Sequence, residues 1–119
     1  MNREILFRGK TGDEWVYGDL SRLKNAITIT KRNFIYPYIV MPETVGQFTG
    51  LTDKNGVKIF EGDIIKYKEN LFEIKYSTEQ ARYLAVLTNG VFDPVAMQNC
   101  EVVGNVFDNS ELLKGEENE

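Results

Sequence analysis

Between Gly46 and Ile65 the chain reads GQFTGLTDKNGVKIFEGDII, and this stretch limits the fold more than any other. Glycines at positions 46, 50, 56 and 62 interrupt it every four to six residues. A stable helix needs roughly 12 or more residues of continuous pattern, and each interior glycine costs it about 1 kcal/mol relative to alanine. What lies between the glycines includes β-branched and aromatic residues at Phe48, Thr49, Thr52, Val57, Ile59 and Phe60. The spacing predicts short strands joined by tight turns.

The same glycines and acids invite two chemical readings, and both fail. A phosphate loop places four residues between its glycines and then Gly-Lys-Ser/Thr at a helix start, so that backbone amides converge on the phosphates. Here five residues separate Gly50 from Gly56, Val57 precedes Lys58, and the sequel KIFEGDIIKY is strand-like. A calcium loop counted from Asp53 finds Asn55 at its third place, but Val57 stands where an oxygen ligand belongs and Lys58 where glycine belongs. The pair Asn55-Gly56 instead suits a hairpin turn with both residues at positive φ. Gly62 reverses the chain a second time, with Asp63 bonding local amides.

The remaining chain repeats this pattern. EILFR and EWVYGDL form a hairpin about Gly9–Gly12, with Trp15 and Tyr17 on one face. NAITITKRN alternates Ala26, Thr28 and Thr30 against Ile27 and Ile29. FIYPYIV reads as a strand whose Pro37 belongs at an edge or bulge. IIKYK and LFEIKYS pair across a loop around Glu69–Asn70, so that Ile65 and Tyr67 face Phe72, Ile74 and Tyr76. RYLAVLTN is a further strand or a helical turn, and GVFDPVAM a short strand broken at Pro94. CEVVGNVF closes the set, its Gly104 marking a bulge or close backbone approach. DNSELL caps one helical turn. About nine short strands without a long helix predict an all-β barrel or sandwich.

Chemistry is constrained mainly by what the sequence omits. The 119 residues include no histidine and one cysteine, Cys100. The commonest general base, the Ser–His and Cys–His nucleophile pairs and the commonest transition-metal ligand are therefore missing. The expectation is a non-enzyme with no cofactor and no metal. Asp53, Glu61 and Asp63 would have to converge to hold a divalent cation, whereas acids in turns ordinarily cap nearby amides. Residues 1–60 carry nine basic and six acidic side chains (+3), and residues 61–119 carry five and twelve (−7), which gives the net −4. An acidic chain has no broad attraction for nucleic-acid phosphates. No apolar run reaches the roughly 20 residues of a membrane helix, and the start MNREILFRGK lacks the apolar centre of a secretory signal. The expected location is the cytoplasm, with no membrane partner.

Phe34, Tyr36 and Tyr38 alternate beside Lys31 and Arg32. Such a stripe is one side of a core, a contact surface between proteins, or a stacking platform for single-stranded nucleic acid. Trp15, Lys31, Arg32, Tyr36, Tyr38 and the rim around Phe60 are the candidate binding residues. Lys24 joins the basic and aromatic set in the nucleic-acid reading.

Three blocks of the chain resemble the YopX family of bacteriophage and prophage proteins. They are REILFRGKTGDEWVYGDL at the start, TGLTDKNG through EGDI in the middle, and EVVGNVFDNSELL near the end. The sequence departs from the family pattern at Ser110, where a proline is usual, which bears on the cap. The resemblance implies an all-β protein, with a short-stranded N-terminal β region over 1–48 and a small SH3-like barrel over 49–113; the run KGEENE itself reads as a disordered acidic tail over 114–119. It implies a capacity for self-association and carries no activity and no catalytic residue. The resulting expectation is an accessory protein of a phage or prophage that works through contacts with a host or phage protein and as a homo-oligomer in the cytoplasm of the bacterial host. The alternative is a weak single-stranded nucleic-acid-binding β-barrel.

Overall fold

The computed structural model describes residues 4–87, 90–92 and 99–113. The chain is all-β and divides into two compact units, Met1–Gly50 and Leu51–Glu119. The expected tail over 114–119 lies outside the described residues, as does most of the expected strand around Pro94.

The first unit contains β1 (Phe7–Thr11), β2 (Glu14–Leu23), β3 (Ala26–Thr30), β4 (Tyr38–Ile39), a 3₁₀ turn at Pro42–Thr44 and the greater part of β5 (Gly46–Thr52). Its strands lie in the order β4-β3-β2-β1-β5. β1 and β2 form the expected N-terminal hairpin, in register Phe7↔Gly18 to Thr11↔Glu14. Alternation along β2 buries Val16 and Gly18 and leaves Trp15 and Tyr17 on the opposite, wetter face. Val16, Ile29 and Val40 form the core, with Phe7, Ile27, Tyr38 and Val45 packed against them. Thr44 ties the 3₁₀ turn to β1. Its hydroxyl accepts from the Lys10 amide at 2.8 Å and donates to the Met41 carbonyl at 2.6 Å.

FIYPYIV is not one strand. After Lys31 the chain turns, with the Phe34 amide donating to the Lys31 carbonyl at 3.0 Å and Asn33 at φ 70°. Asparagine tolerates this left-handed conformation, which ends a strand. Pro37, lacking an N–H, delays pairing until Tyr38. β4 is therefore only two residues long, paired to β3 as Thr28↔Ile39 and Ile29↔Tyr38.

The second unit carries β6 (Lys58–Phe60), which adjoins the end of β5, and then β7 (Asp63–Tyr67), β8 (Asn70–Ser77), β9 (Arg82–Leu87), β10 (Gly90–Phe92) and β11 (Glu101–Asn105). The last five form an antiparallel sheet in the order β10-β9-β8-β7-β11. Among the described residues this ladder is open, with β10 and β11 at its edges, so the antiparallel sheet stands where an SH3-like barrel was expected. Arg82–Leu87 resolves as strand rather than helical turn. Ile65 sits opposite Phe72 as expected, and the turn between them is at Lys68, with φ 57°. Ile59, Ile65, Phe72, Ile74, Ala85 and Cys100 make one buried cluster. The register shifts between Val102 and Gly104, which is the bulge that Gly104 signalled. A Cβ there would stand 2.6 Å from Oδ1 of Asn109.

Candidate functional site

The glycine-rich stretch turns out to be internal scaffolding. Asp53 is only 5% exposed, and its carboxylate is taken up by backbone amides. Oδ1 accepts from Asn55 at 2.8 Å and from Val57 at 2.9 Å, while Oδ2 accepts from Val102 at 2.9 Å across 49 residues of chain. Gly56 takes φ 81°, but Asn55 does not join it at positive φ. The expected Asn-Gly hairpin turn is thus replaced by a loop folded around the Asp53 side chain. Burial works to raise the Asp53 pKa, yet the amides of Val102, Val57 and Asn55, together with the Lys54 charge, outweigh it and leave the pKa below the ordinary carboxylate value. Hydrogen bonds to the charged form have this effect.

Asp63 does the same locally, accepting the Phe60 amide at 2.7 Å beside Gly62 at φ 93°. Phe60 itself is 3% exposed and belongs to the interior. The turn encloses the ring of this candidate binding residue. Cys100 is buried, and burial, followed by the nearby Asp53 charge, raises its thiol pKa.

The aromatic and basic candidates fall into two groups in the first unit. Trp15 is half-buried, with the Arg8 guanidinium 4.7 Å and the Lys10 ammonium 5.7 Å from its ring centroid. Arg8 is a buried cation that the sequence reading missed, since alternation alone gives no sign of which strand face is covered. Lys31 lies over two rings of its own loop, 5.6 Å from the Phe34 centroid and 5.1 Å from the Tyr38 centroid. Arg32 bonds Asp19 at 3.3 Å, pairs with Glu4 at 3.7 Å and donates to the Ile5 carbonyl. Tyr38 packs inward on the core, whereas Tyr36 is 75% exposed. Lys24 is exposed at the β2–β3 turn.

The structure therefore brings Lys31, Phe34 and Tyr38 together and leaves Trp15 elsewhere. Trp15 lies four residues along β2 from Asp19, whose partner Thr30 precedes Lys31; at about 3.3 Å per residue that is roughly 13 Å. The dominant surface feature is the segment from Phe34 to Met41. Phe34, Ile35, Tyr36, Ile39 and Met41 are all exposed there. Ile35, Ile39 and Met41 went unmarked in the sequence because FIYPYIV read as a continuous strand with a covered face. The turn signals Asn33 and Pro37 on either side of FIY could have found them.

The second unit holds an open groove of about 420 Å³, lined by Lys66, Glu69, Leu71, Val103 and Leu112. Among the described residues no group of three or more acidic or thiol side chains is placed to hold a metal ion, and no helix is long and apolar enough to cross a membrane.

The family model described as YopX protein matches residues 5–114. The chain belongs to the YopX family. The match covers both the Asp53 loop and the exposed Phe34–Met41 segment. A crystal structure of protein EF1440 from Enterococcus faecalis resembles this YopX-family chain over 94% of its length and 99% of that chain, with 25% sequence identity and a TM-score of 0.61. No curated protein matches it.

Proposed function

We propose that this YopX-family protein is a non-enzymatic accessory protein of a phage or prophage, acting in the bacterial cytoplasm through contacts with itself and with a host or phage protein. The observation that carries this reading is the exposure of Phe34, Ile35, Tyr36, Ile39 and Met41 within one short segment. Soluble monomers rarely expose contiguous apolar patches beyond a few hundred Å², and larger ones mark interaction sites. Aromatic residues and methionine are also the types enriched at protein interfaces.

The charges beside the segment favour protein over nucleic acid. Arg32 is balanced by Glu4 and Asp19, and Lys31 is drawn over Phe34 and Tyr38. A phosphate-tracking surface requires cations that are free to replace counterions.

The test is a tagged pull-down from host lysate, with and without nuclease, comparing the native chain with an Ile35→Glu/Tyr36→Glu variant. A near-stoichiometric protein that survives nuclease and is lost with the variant supports the reading. Recovery of nucleic acid, with nuclease stripping every co-purifying protein, overturns it in favour of single-stranded nucleic-acid binding.

A further inference from the structure

The open groove of the second unit shares no residue with the Phe34–Met41 segment. Ile65 and Phe72 point into the buried cluster of this unit, so alternation turns Lys66 and Leu71 to the other face of the sheet. Lys66 stands opposite Leu71 on β8 and opposite Glu101 on β11, which sets Leu71, Lys66 and Glu101 in one row across three strands. Val103 lies in the β11 bulge, and Leu112 comes from the helical turn that follows. With Glu69 from the β7–β8 turn, Lys66, Leu71, Val103 and Leu112 line the groove.

Its walls are fixed by hydrogen bonds. The Asn109 side chain accepts the Asn105 amide at 3.2 Å, and the Asn109 carbonyl accepts the Leu112 amide at 2.9 Å, so the helical turn is tied to β11. Part of the β11 backbone is already engaged. The Val102 amide donates to Asp53 at 2.9 Å, and the Cys100 carbonyl accepts the Lys54 amide at 3.0 Å. A peptide cannot add as a further strand through groups that are taken. Whatever fills the groove is held by its side chains.

The geometry points to a docking site for a basic, apolar peptide segment of another protein, with one large apolar side chain in the groove and a lysine or arginine on its flank. This second surface stands independently of the contact proposed for Phe34–Met41. Size and polarity choose the apolar side chain. A volume of about 420 Å³ is at the small end of the roughly 300–1,000 Å³ of ligand pockets, and Leu71, Val103 and Leu112 make three of its five lining residues apolar.

Charge chooses the flank. Glu69 lines the groove, Glu101 stands in the row beside it and Glu111 adjoins Leu112, whereas Lys66 is the single lining cation. Lys68, in the same turn as Glu69, has its ammonium 5.4 Å from the Tyr67 ring centroid. The surrounding half of the chain adds to the imbalance, with twelve acidic and five basic residues over 61–119. Complementary charge steers a partner onto such a surface, and like charge repels the wrong one. An acidic peptide or a nucleic-acid phosphate is therefore rejected here.

The test is an amide-resolved NMR titration of the isotope-labelled full chain with a short synthetic peptide alternating arginine and leucine. Two control peptides replace arginine by glutamate or leucine by serine. The expected result is shifts at Lys66, Glu69, Leu71, Val103 and Leu112 that saturate together, with a dissociation constant below about 1 mM and at least about tenfold weaker binding of both controls. Glu69 and Val103 are exposed, so Glu69→Lys and Val103→Gln should keep the native circular dichroism while raising the dissociation constant about tenfold each. Glu69→Lys should also flatten its salt dependence. The Ile35→Glu/Tyr36→Glu variant should bind the peptide as the native chain does, whatever the outcome of the pull-down. Absent shifts, unsaturated shifts spread over the acidic surface, equal binding of either control or undiminished binding by the folded groove variants overturns the inference. So does weaker binding by Ile35→Glu/Tyr36→Glu, which puts the peptide on the Phe34–Met41 segment. Groove resonances that move on dilution of the free chain assign the groove to a second copy and also overturn it.

Discussion

Replacing Asp53 with alanine should destabilise the second unit by about 3 kcal/mol, through the loss of one acceptor group that serves three amides. Asn55 and Val57 lie in an exposed loop, where their amides can turn to water; each loss there costs about 0.5–1 kcal/mol. Val102 is half-buried and 49 residues away, and its amide has the Asp53 carboxylate at 2.9 Å. Leaving such a donor unmet costs about 1–3 kcal/mol. For a domain of this size 3 kcal/mol corresponds to a fall of about 10–25 °C in melting temperature. Asp53→Asn keeps one carbonyl oxygen and should lose about half as much. The pH dependence identifies the group responsible. The folded pKa lies below the ordinary carboxylate value, so the folded state binds fewer protons than the unfolded chain as pH drops. The stabilisation is complete above the ordinary carboxylate pKa and is lost as pH falls through the lower folded value. Urea unfolding followed by circular dichroism, at neutral pH and at a series of pH values below 4, measures both effects. A loss under about 0.5 kcal/mol for Asp53→Ala, or an acid limb unchanged in Asp53→Asn, would refute the argument that this carboxylate joins the loop to β11.

Three further outcomes follow from the packing. Gly104→Ala puts a methyl group against Asn109 and should cost about 1–3 kcal/mol; a double-mutant cycle with Asn109→Ala should return a coupling of at least about 0.5 kcal/mol, and additivity would disprove the close approach. Phe72→Ala in the buried cluster of the second unit should cost about 3–5 kcal/mol, whereas Tyr36→Ala at low protein concentration should stay within about 0.5 kcal/mol, both read by urea unfolding. The Cys100 thiol should react with a disulfide reagent only as the protein unfolds, because burial and the Asp53 charge disfavour the thiolate; rapid labelling of the native protein would contradict its placement.

What the sequence determined by itself is local. The β-branched runs between glycines allow strands and forbid long helices, and all-β follows. The Asp63 turn was legible because its carboxylate acts on an amide three residues back, beside a glycine that accepts φ 93°. The Ile65–Phe72 pairing was legible because a short turn fixes the register. Gly104 announced its bulge because a missing side chain is itself a signal. The three blocks that resembled the YopX family were also readable as they stood, and the family match covers all of them but Arg3 and Glu4.

Tertiary structure decided the rest, because burial and distant hydrogen bonds depend on which segments meet. The Asn-Gly pair promised a turn with two positive φ values, but the Asp53 carboxylate bonds to Val102 and reshapes the loop around itself. Nothing near Asp53 in the sequence names a partner 49 residues away. The aromatics show the same limit. Phe60 and Phe34 are the same residue type on equally β-like segments, yet one is enclosed by its turn and the other stands in water. Hydrophobic pattern gives the faces of a strand, but only the packing of neighbouring segments determines which face is covered. The exposed Phe34–Met41 edge, on which the functional reading depends, became visible only once Asn33 and Pro37 had shortened β4 to two residues.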